Sequence, residues 1–156
     1  MIYGDLTSPD LAHLAPDTVA LLPIAALEQH GRHLPVITDT ALLTEIVRRA
    51  ETALPEKVAL LPTLWAGCSH HHRDFPGTMS IRSETYTRIL EDLIESLIGS
   101  GFRKIALING HGGNITPMTE ALYRIALKYP ALDAPWVTGT SYWRLGADEL
   151  AAQTFM

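Results

Sequence analysis

Cysteine is nearly absent, since Cys68 is the only one in 156 residues. That excludes an internal disulfide and a multi-cysteine zinc site. Positive charge is scarce as well. Twelve lysines and arginines stand against 17 aspartates and glutamates, for a formal net charge of −5. Such a balance offers no basic footprint for nucleic acid and no polybasic anchor for anionic lipid. No apolar run approaches the roughly 20 residues that a membrane-spanning helix needs. The opening segment MIYGDLTSPDLAHLAPD has acidic residues and prolines where a secretory leader has a basic region and an apolar stretch. The expectation is a cytoplasmic globular protein with no nucleic-acid or membrane partner.

What is present suits a single folded unit over residues 1–156. Hydrophobic residues make up 47% and charged residues 19%, a balance typical of globular chains. A chain of this length buries roughly two thirds of its unfolded surface. Ser8-Pro9-Asp10 predicts a short helix, with a capping hydroxyl followed by proline in the first turn. Residues 17–25 (DTVALLPIA), 57–64 (KVALLPTL), 103–109 (RKIALIN) and 134–143 (APWVTGTSYW) read as strands. Between them, helical periodicity begins at Thr38, with Leu42, Leu43, Ile46, Val47 and Ala50 on one face. It runs again over 83–98, where Gly99 and Gly101 stop it, and over 115–129. Near-continuous apolar strands alternating with helices predict an α/β fold of three layers, a mostly parallel sheet with helices on both faces.

In such sheets, chemistry gathers at the carboxyl ends of the strands. The ionisable clusters of this sequence fall there. LEQHGRHLPVITD (27–39) follows the first strand, SHHHRD (69–74) the second and NGHGGN (109–114) the third. Burying such groups costs several kcal/mol each unless something pairs with them, and a metal ion is one such partner. Glu28 and His30 are two residues apart, so in extended backbone they point to the same side. Each piece also has a plainer explanation. Glu28 and His30 could belong to an ordinary polar loop, and Asp39 could serve only to cap the helix that follows. The glycines around His111 permit a tight turn. They match neither the dinucleotide-binding glycine pattern nor a Walker loop, which disfavours phosphate binding. Of the three histidines at 70–72, His72 is the one expected to face the cleft, since neighbours in a strand alternate sides. Phe75-Pro76-Gly77 reads as a turn.

LPIAALEQHGRHLPVITD, GCSHHHRDFPGTMSI and LINGHGGN resemble, in order, the three signature segments of the creatininase (creatinine amidohydrolase) family. The resemblance implies a creatininase-like α/β fold, a dinuclear-metal amidohydrolase and a homo-oligomer. Carried over position by position, it implies that Glu28 and His111 ligate one ion and His30 the other, with Asp39 bridging them. His33 matches a histidine that supports the site without ligating. The branch acting on creatinine has a glutamate two positions after the histidine of Asn-Gly-His, and Gly113 stands there in this sequence. Other branches take that carboxylate from a later His-Ala-Gly…Glu-Thr-Ser segment. The sequence reaches Met156 before any such segment, so the domain is expected to lack the C-terminal part of the family fold. Glu120, Asp148 and Glu149 have no matching context.

Oxygen and nitrogen ligands together suit Zn²⁺, Mn²⁺ or Fe²⁺. A bound metal lowers the pKa of its water to about 7. The resulting hydroxide would attack the C–N amide bond of a small cyclic amide, a formamide or a peptide-like substrate. His72 is the candidate acid for the departing nitrogen, and Trp143 could wall the pocket. The alternative is a catalytically inactive relative that binds metal or forms oligomers. A phosphate-binding regulatory domain is a third reading.

Overall fold

The structure, a computed structural model, describes residues 1–129 and 134–146. Nine regular elements follow in order among them. They are α1 (Ser8–Leu14), β1 (Val19–Ile24), α2 (Thr38–Ala53), β2 (Val58–Leu60), α3 (Ser83–Gly99), β3 (Lys104–Asn109), α4 (Ile115–Lys128), β4 (Trp136–Ser141) and α5 (Tyr142–Leu145). The strands form one four-stranded sheet in the order β2-β1-β3-β4, parallel throughout. All four therefore deliver their carboxyl ends to the same edge.

Two apolar clusters, one on each face of the sheet, give the three layers expected. On one face, Tyr86, Leu90, Ile94 and Leu97 of α3 and Met118, Ala121 and Ile125 of α4 pack against Ala20, Leu22, Ile24, Ile105 and Leu107. On the other, Leu43 and Val47 of α2 pack against Leu21, Val58, Leu60 and Ala106. Leu42 is exposed, so α2 presents a narrower stripe than its sequence predicts.

The second strand is shorter than expected, three residues in place of 57–64. A proline in β1 accounts for this. β1 and β2 pair in register up to Leu21 and Leu60, and Leu61 N–H still reaches the Leu21 carbonyl at 2.9 Å. The next donor in the ladder would be residue 23, opposite the Leu61 carbonyl, and as a proline it has no N–H. Pairing with β1 resumes only briefly, where the Leu64 N–H reaches the Pro23 carbonyl and the Ala25 N–H reaches the Leu64 carbonyl at 2.9 Å each, before the chain runs into the loop carrying the histidine tract. A smaller correction concerns α1, whose N-cap is Thr7 and not Ser8. The Asp10 carboxylate accepts from both the Thr7 N–H and the Thr7 hydroxyl.

Candidate metal centre

At the carboxyl edge of the sheet, a cleft of about 500 Å³ is lined by Glu28, Asp39, His71, His111, Tyr142, Trp143 and the glycines of the loop after β3. Four residues singled out from sequence, Glu28, His30, Asp39 and His111, come together here from three segments of chain. His111 and Glu28 are buried, 3% and 6% exposed. Asp39 lies in the first turn of α2, but its carboxylate leaves the helix. Oδ1 is 3.1 Å from His30 Nε2, and Oδ2 is 3.0 Å from His111 Nδ1.

The backbone fixes which nitrogen each imidazole can offer. His111 Nε2 lies 3.2 Å from the Cys68 carbonyl and 3.1 Å from Ser69 Oγ. A carbonyl only accepts, so Nε2 carries a proton and Nδ1 is the nitrogen that faces Asp39 and Glu28. In His30 the roles are reversed. Nδ1 donates to the Glu28 carbonyl at 3.1 Å, which leaves Nε2 facing Asp39. Metal-ligating histidines are commonly held in this way, with the second ring nitrogen donating to a carbonyl.

Glu28 supplies the strongest sign that a cation belongs here. Oε1 is 3.3 Å from His111 Nδ1, while Oε2 is buried without a hydrogen-bond partner among the described residues. An ionised carboxylate oxygen left so is costly unless a cation compensates it. The residues fit a divalent ion. Two groups of three place one potential ligand atom per residue within 4.8 Å of one another: Glu28 with His30 and Asp39, and Glu28 with His71 and His111.

Burial works to lower the pKa of His111. The hydrogen bond with Asp39, the charge of Glu28, the Cys68 carbonyl and the charge of Asp39 outweigh it, so the pKa is raised above its ordinary value. In the metal-free protein, a proton on Nδ1 answers the two carboxylates in the cation's place.

The histidine tract differs from expectation. His70–His72 form a 3-10 turn, not an extended strand. His71 lines the cleft, while His72 turns aside, its Nδ1 accepting from Gln29 Nε2 at 2.9 Å. His33 is exposed and does not line the cleft. Trp143 does line it, with Tyr142 beside it. The Phe-Pro-Gly segment turns as expected. Gly77 has φ +85°, which favours glycine, and Thr78 N–H reaches the Phe75 carbonyl. Thr78 Oγ1 then accepts from the Gln29 N–H at 3.2 Å, steadying the chain beside Glu28.

Sequence reasoning did not single out the residues that shape the site from behind. Asn109, at the end of β3, binds both backbone groups of His111. Asn114 ties the Ala25 carbonyl to the Cys68 N–H at 2.9 Å each, joining the end of β1 to the loop that leads to the histidine tract. Ser69 touches His111 directly. The signal available for the two asparagines was their position, as polar residues flanking a strand-end histidine.

Comparison with known proteins agrees with this geometry. The creatinine amidohydrolase (creatininase) family model matches residues 4–154. A mycofactocin precursor peptide peptidase of Mycobacterium tuberculosis is 33% identical over 141 residues, 85% of this chain and 54% of the relative. A creatinine amidohydrolase of Pseudomonas putida is 32% identical over 146 residues, 89% of this chain and 55% of the relative. The chain therefore spans about half the length of the curated relatives it matches. A crystal structure of creatinine amidohydrolase superposes with a TM-score of 0.85 at 31% identity, covering 97% of this chain and 61% of that one. A mutant creatininase of Zn–Zn type matches with a TM-score of 0.82 at 29% identity, covering 99% and 65%. A creatininase Mn structure matches with a TM-score of 0.83 at 30% identity, covering 97% and 62%.

Proposed function

The chain belongs to the creatininase family, and on that premise we propose that it is the metal-binding part of an amidohydrolase that opens a C–N amide bond. One observation carries this reading. Two imidazoles are held by backbone carbonyls so that their free nitrogens face the two oxygens of one carboxylate, beside a buried Glu28 oxygen with no partner. Glu28 and His111 would hold one divalent ion and His30 a second, with Asp39 between them. Zinc and manganese are the ions favoured, given the Zn–Zn and Mn forms among the matched creatininases.

A divalent ion bound there would polarise an amide carbonyl and lower the pKa of a coordinated water to about 7. The chain's own residues do the rest. The Cys68 and Glu28 carbonyls keep the two histidines in the tautomers that leave the inward nitrogens free. Tyr142 and Trp143 form an aromatic wall, with rings at 80° and centroids 5.2 Å apart, against which a flat amide can rest. His72 has a positioning role in this arrangement. Its ring is joined to Gln29, next to Glu28, and does not line the cleft.

The substrate class is a small cyclic amide, a formamide or a peptide bond, and the relatives favour the first and last of these. They are a creatinine amidohydrolase and a precursor peptide peptidase. The test is hydrolysis of creatinine, simple formamides and short peptides by the purified chain with Zn²⁺ or Mn²⁺. A chelator should abolish activity and Glu28→Ala should prevent its return. Metal binding without turnover of any of the three classes would instead support the inactive metal-binding alternative.

A further inference from the structure

Three adjacent histidines are more than the family resemblance uses, and the structure sends each one somewhere different. In a 3-10 turn of three residues per turn, successive side chains splay about 120° apart. His70 Nδ1 pairs with Ser80 Oγ at 2.6 Å on the outer side, and His72 pairs with Gln29. His71 alone turns into the cleft. Its ring lies parallel to that of His111, at 8° and 5.8 Å between centroids. Among the described residues, no hydrogen bond holds either of its ring nitrogens.

One atom each from Glu28, His71 and His111 falls within 4.8 Å of the others. Ligand atoms around tetrahedral zinc, at bond lengths of about 2.0–2.2 Å, stand about 3.3 Å apart. The group is thus open by at most about 1.5 Å relative to a closed site, and Glu28 Oε1 and His111 Nδ1 already stand 3.3 Å apart. Glu28 and His111 are buried, and His111 is held by the Cys68 carbonyl, whereas His71 is exposed and unheld. Of the three side chains, His71 is the one that no hydrogen bond or ion pair holds in place among the described residues.

We propose that His71 is a direct ligand, sharing with Glu28 and His111 the ion at the buried end of the cleft. The inference rests on the reading of this cleft as a metal site and adds a ligand to it. Two imidazoles and one carboxylate form a donor set used by catalytic zinc sites, and the shared Asp39 oxygen or a water takes the fourth position. It suits Zn²⁺ better than Mg²⁺ or Ca²⁺, which prefer oxygen donors alone. His71 thereby joins Glu28, His111 and the shared Asp39 around one ion, in a cleft where Gly113 offers no side chain.

The experiment is a Zn²⁺ competition titration against a chromogenic chelator. It uses the full chain and the variants His71→Ala, His70→Ala, His71→Glu and His111→Ala, each shown by thermal melting to be folded. His71→Ala should weaken the tightest Zn²⁺ by more than the roughly 10–100-fold that loss of an outer partner causes. His71→Glu should recover most of that loss, and His70→Ala should bind as the parent does. NMR of the ring nitrogens gives a second readout, a His71 nitrogen signal that moves when Zn²⁺ is added. If His71→Ala titrates like His70→Ala while His111→Ala loses the ion, the metal site stands and the His71 inference is overturned. If His111→Ala also keeps full affinity, the metal-site reading falls, and this inference with it.

Discussion

Asn109 grips His111 by both of its backbone groups. The side-chain oxygen of Asn109 accepts from the His111 N–H at 3.0 Å, and its amide donates to the His111 carbonyl at 2.7 Å. The same amide also donates to Ser141 Oγ at 3.0 Å, tying the end of β3 to the end of β4. These residues are buried, so loss of the asparagine strands the His111 N–H and takes a partner from Ser141, while the His111 carbonyl keeps only the Asn114 N–H at 3.2 Å.

Asn109→Ala should therefore destabilise the metal-free protein by about 1–3 kcal/mol, the cost of stranded buried polar groups. It should also weaken Zn²⁺ binding roughly 10–100-fold, as loss of an outer partner of a ligand does. Denaturant unfolding and a metal titration measure the two effects separately. Unchanged metal affinity in a destabilised variant would mean that the glycine loop orients His111 by itself.

Much of this arrangement was legible from the residues, and the failures have definite causes. β1 and β3 were readable because their runs are apolar on both faces, as a covered parallel sheet requires. β2 was overestimated because an apolar count takes no account of the hydrogen bond that Pro23 cannot make. Glu28, His30, Asp39 and His111 could be grouped because each follows a strand ending at the same edge. His71 could not be told from His72, because the choice depends on whether three residues extend or coil, and both suit the same composition. Asn109, Asn114 and Ser69 read as ordinary loop polarity, since nothing local reveals that they are buried.

Gly113 occupies the position where the creatinine-hydrolysing branch is expected to have glutamate. A Cβ at Gly113 would lie far inside contact distance of the Cys68 carbonyl oxygen and 2.5 Å from His111 Nε2. Gly113→Ala should cost about 1–3 kcal/mol from overpacking. It should also weaken metal binding, because it pushes apart the two groups whose hydrogen bond orients the imidazole. Gly113→Glu should behave no better, since its carboxylate starts from the same clash. A Gly113→Glu variant that binds the second ion more tightly than the parent would refute this.

Opposite pH trends should separate the metal-free and metal-loaded forms. The folded pKa of His111 is raised above its ordinary value of 6.5. Its contribution to the stability of the metal-free protein is therefore complete below 6.5 and lost as pH rises through the folded value. A bound ion requires the neutral ring, so Zn²⁺ affinity should rise across the same window as the proton is displaced. Thermal melts and Zn²⁺ titrations at several pH values would show both. Parallel trends would remove His111 from the ligand set.

Tyr86 lies in the core between α3 and the sheet, fully buried, and its hydroxyl has no partner among the described residues. Burial, reinforced by the nearby Cys68, pushes its pKa well up. The group stays a neutral phenol that lost its hydration without replacing it. Tyr86→Phe removes that cost while keeping the ring, and should stabilise the protein by about 1 kcal/mol. A lower melting temperature for the variant would show that the hydroxyl is satisfied in solution.

The two metal positions should differ in affinity. Glu28, His111 and His71, with a share of Asp39, give the buried position enough donors for a closed four-coordinate ion or for three protein ligands and water. The outer position has His30, the remaining share of Asp39 and whatever Glu28 can spare. Among the described residues no other carboxylate lines the cleft. Glu120 is on α4 and pairs with Arg124, Asp74 is exposed, and Asp148 and Glu149 lie outside the described residues. With one imidazole and shared carboxylates, the second ion lacks the three protein ligands common to catalytic zinc sites. Titration of the 156-residue chain with Zn²⁺ should resolve one tight ion and a second weaker by about two orders of magnitude, close to 3 kcal/mol. Asp39→Ala should then weaken both, because each of its oxygens serves a different histidine. Two ions of equal, high affinity would show that another side chain completes the outer position.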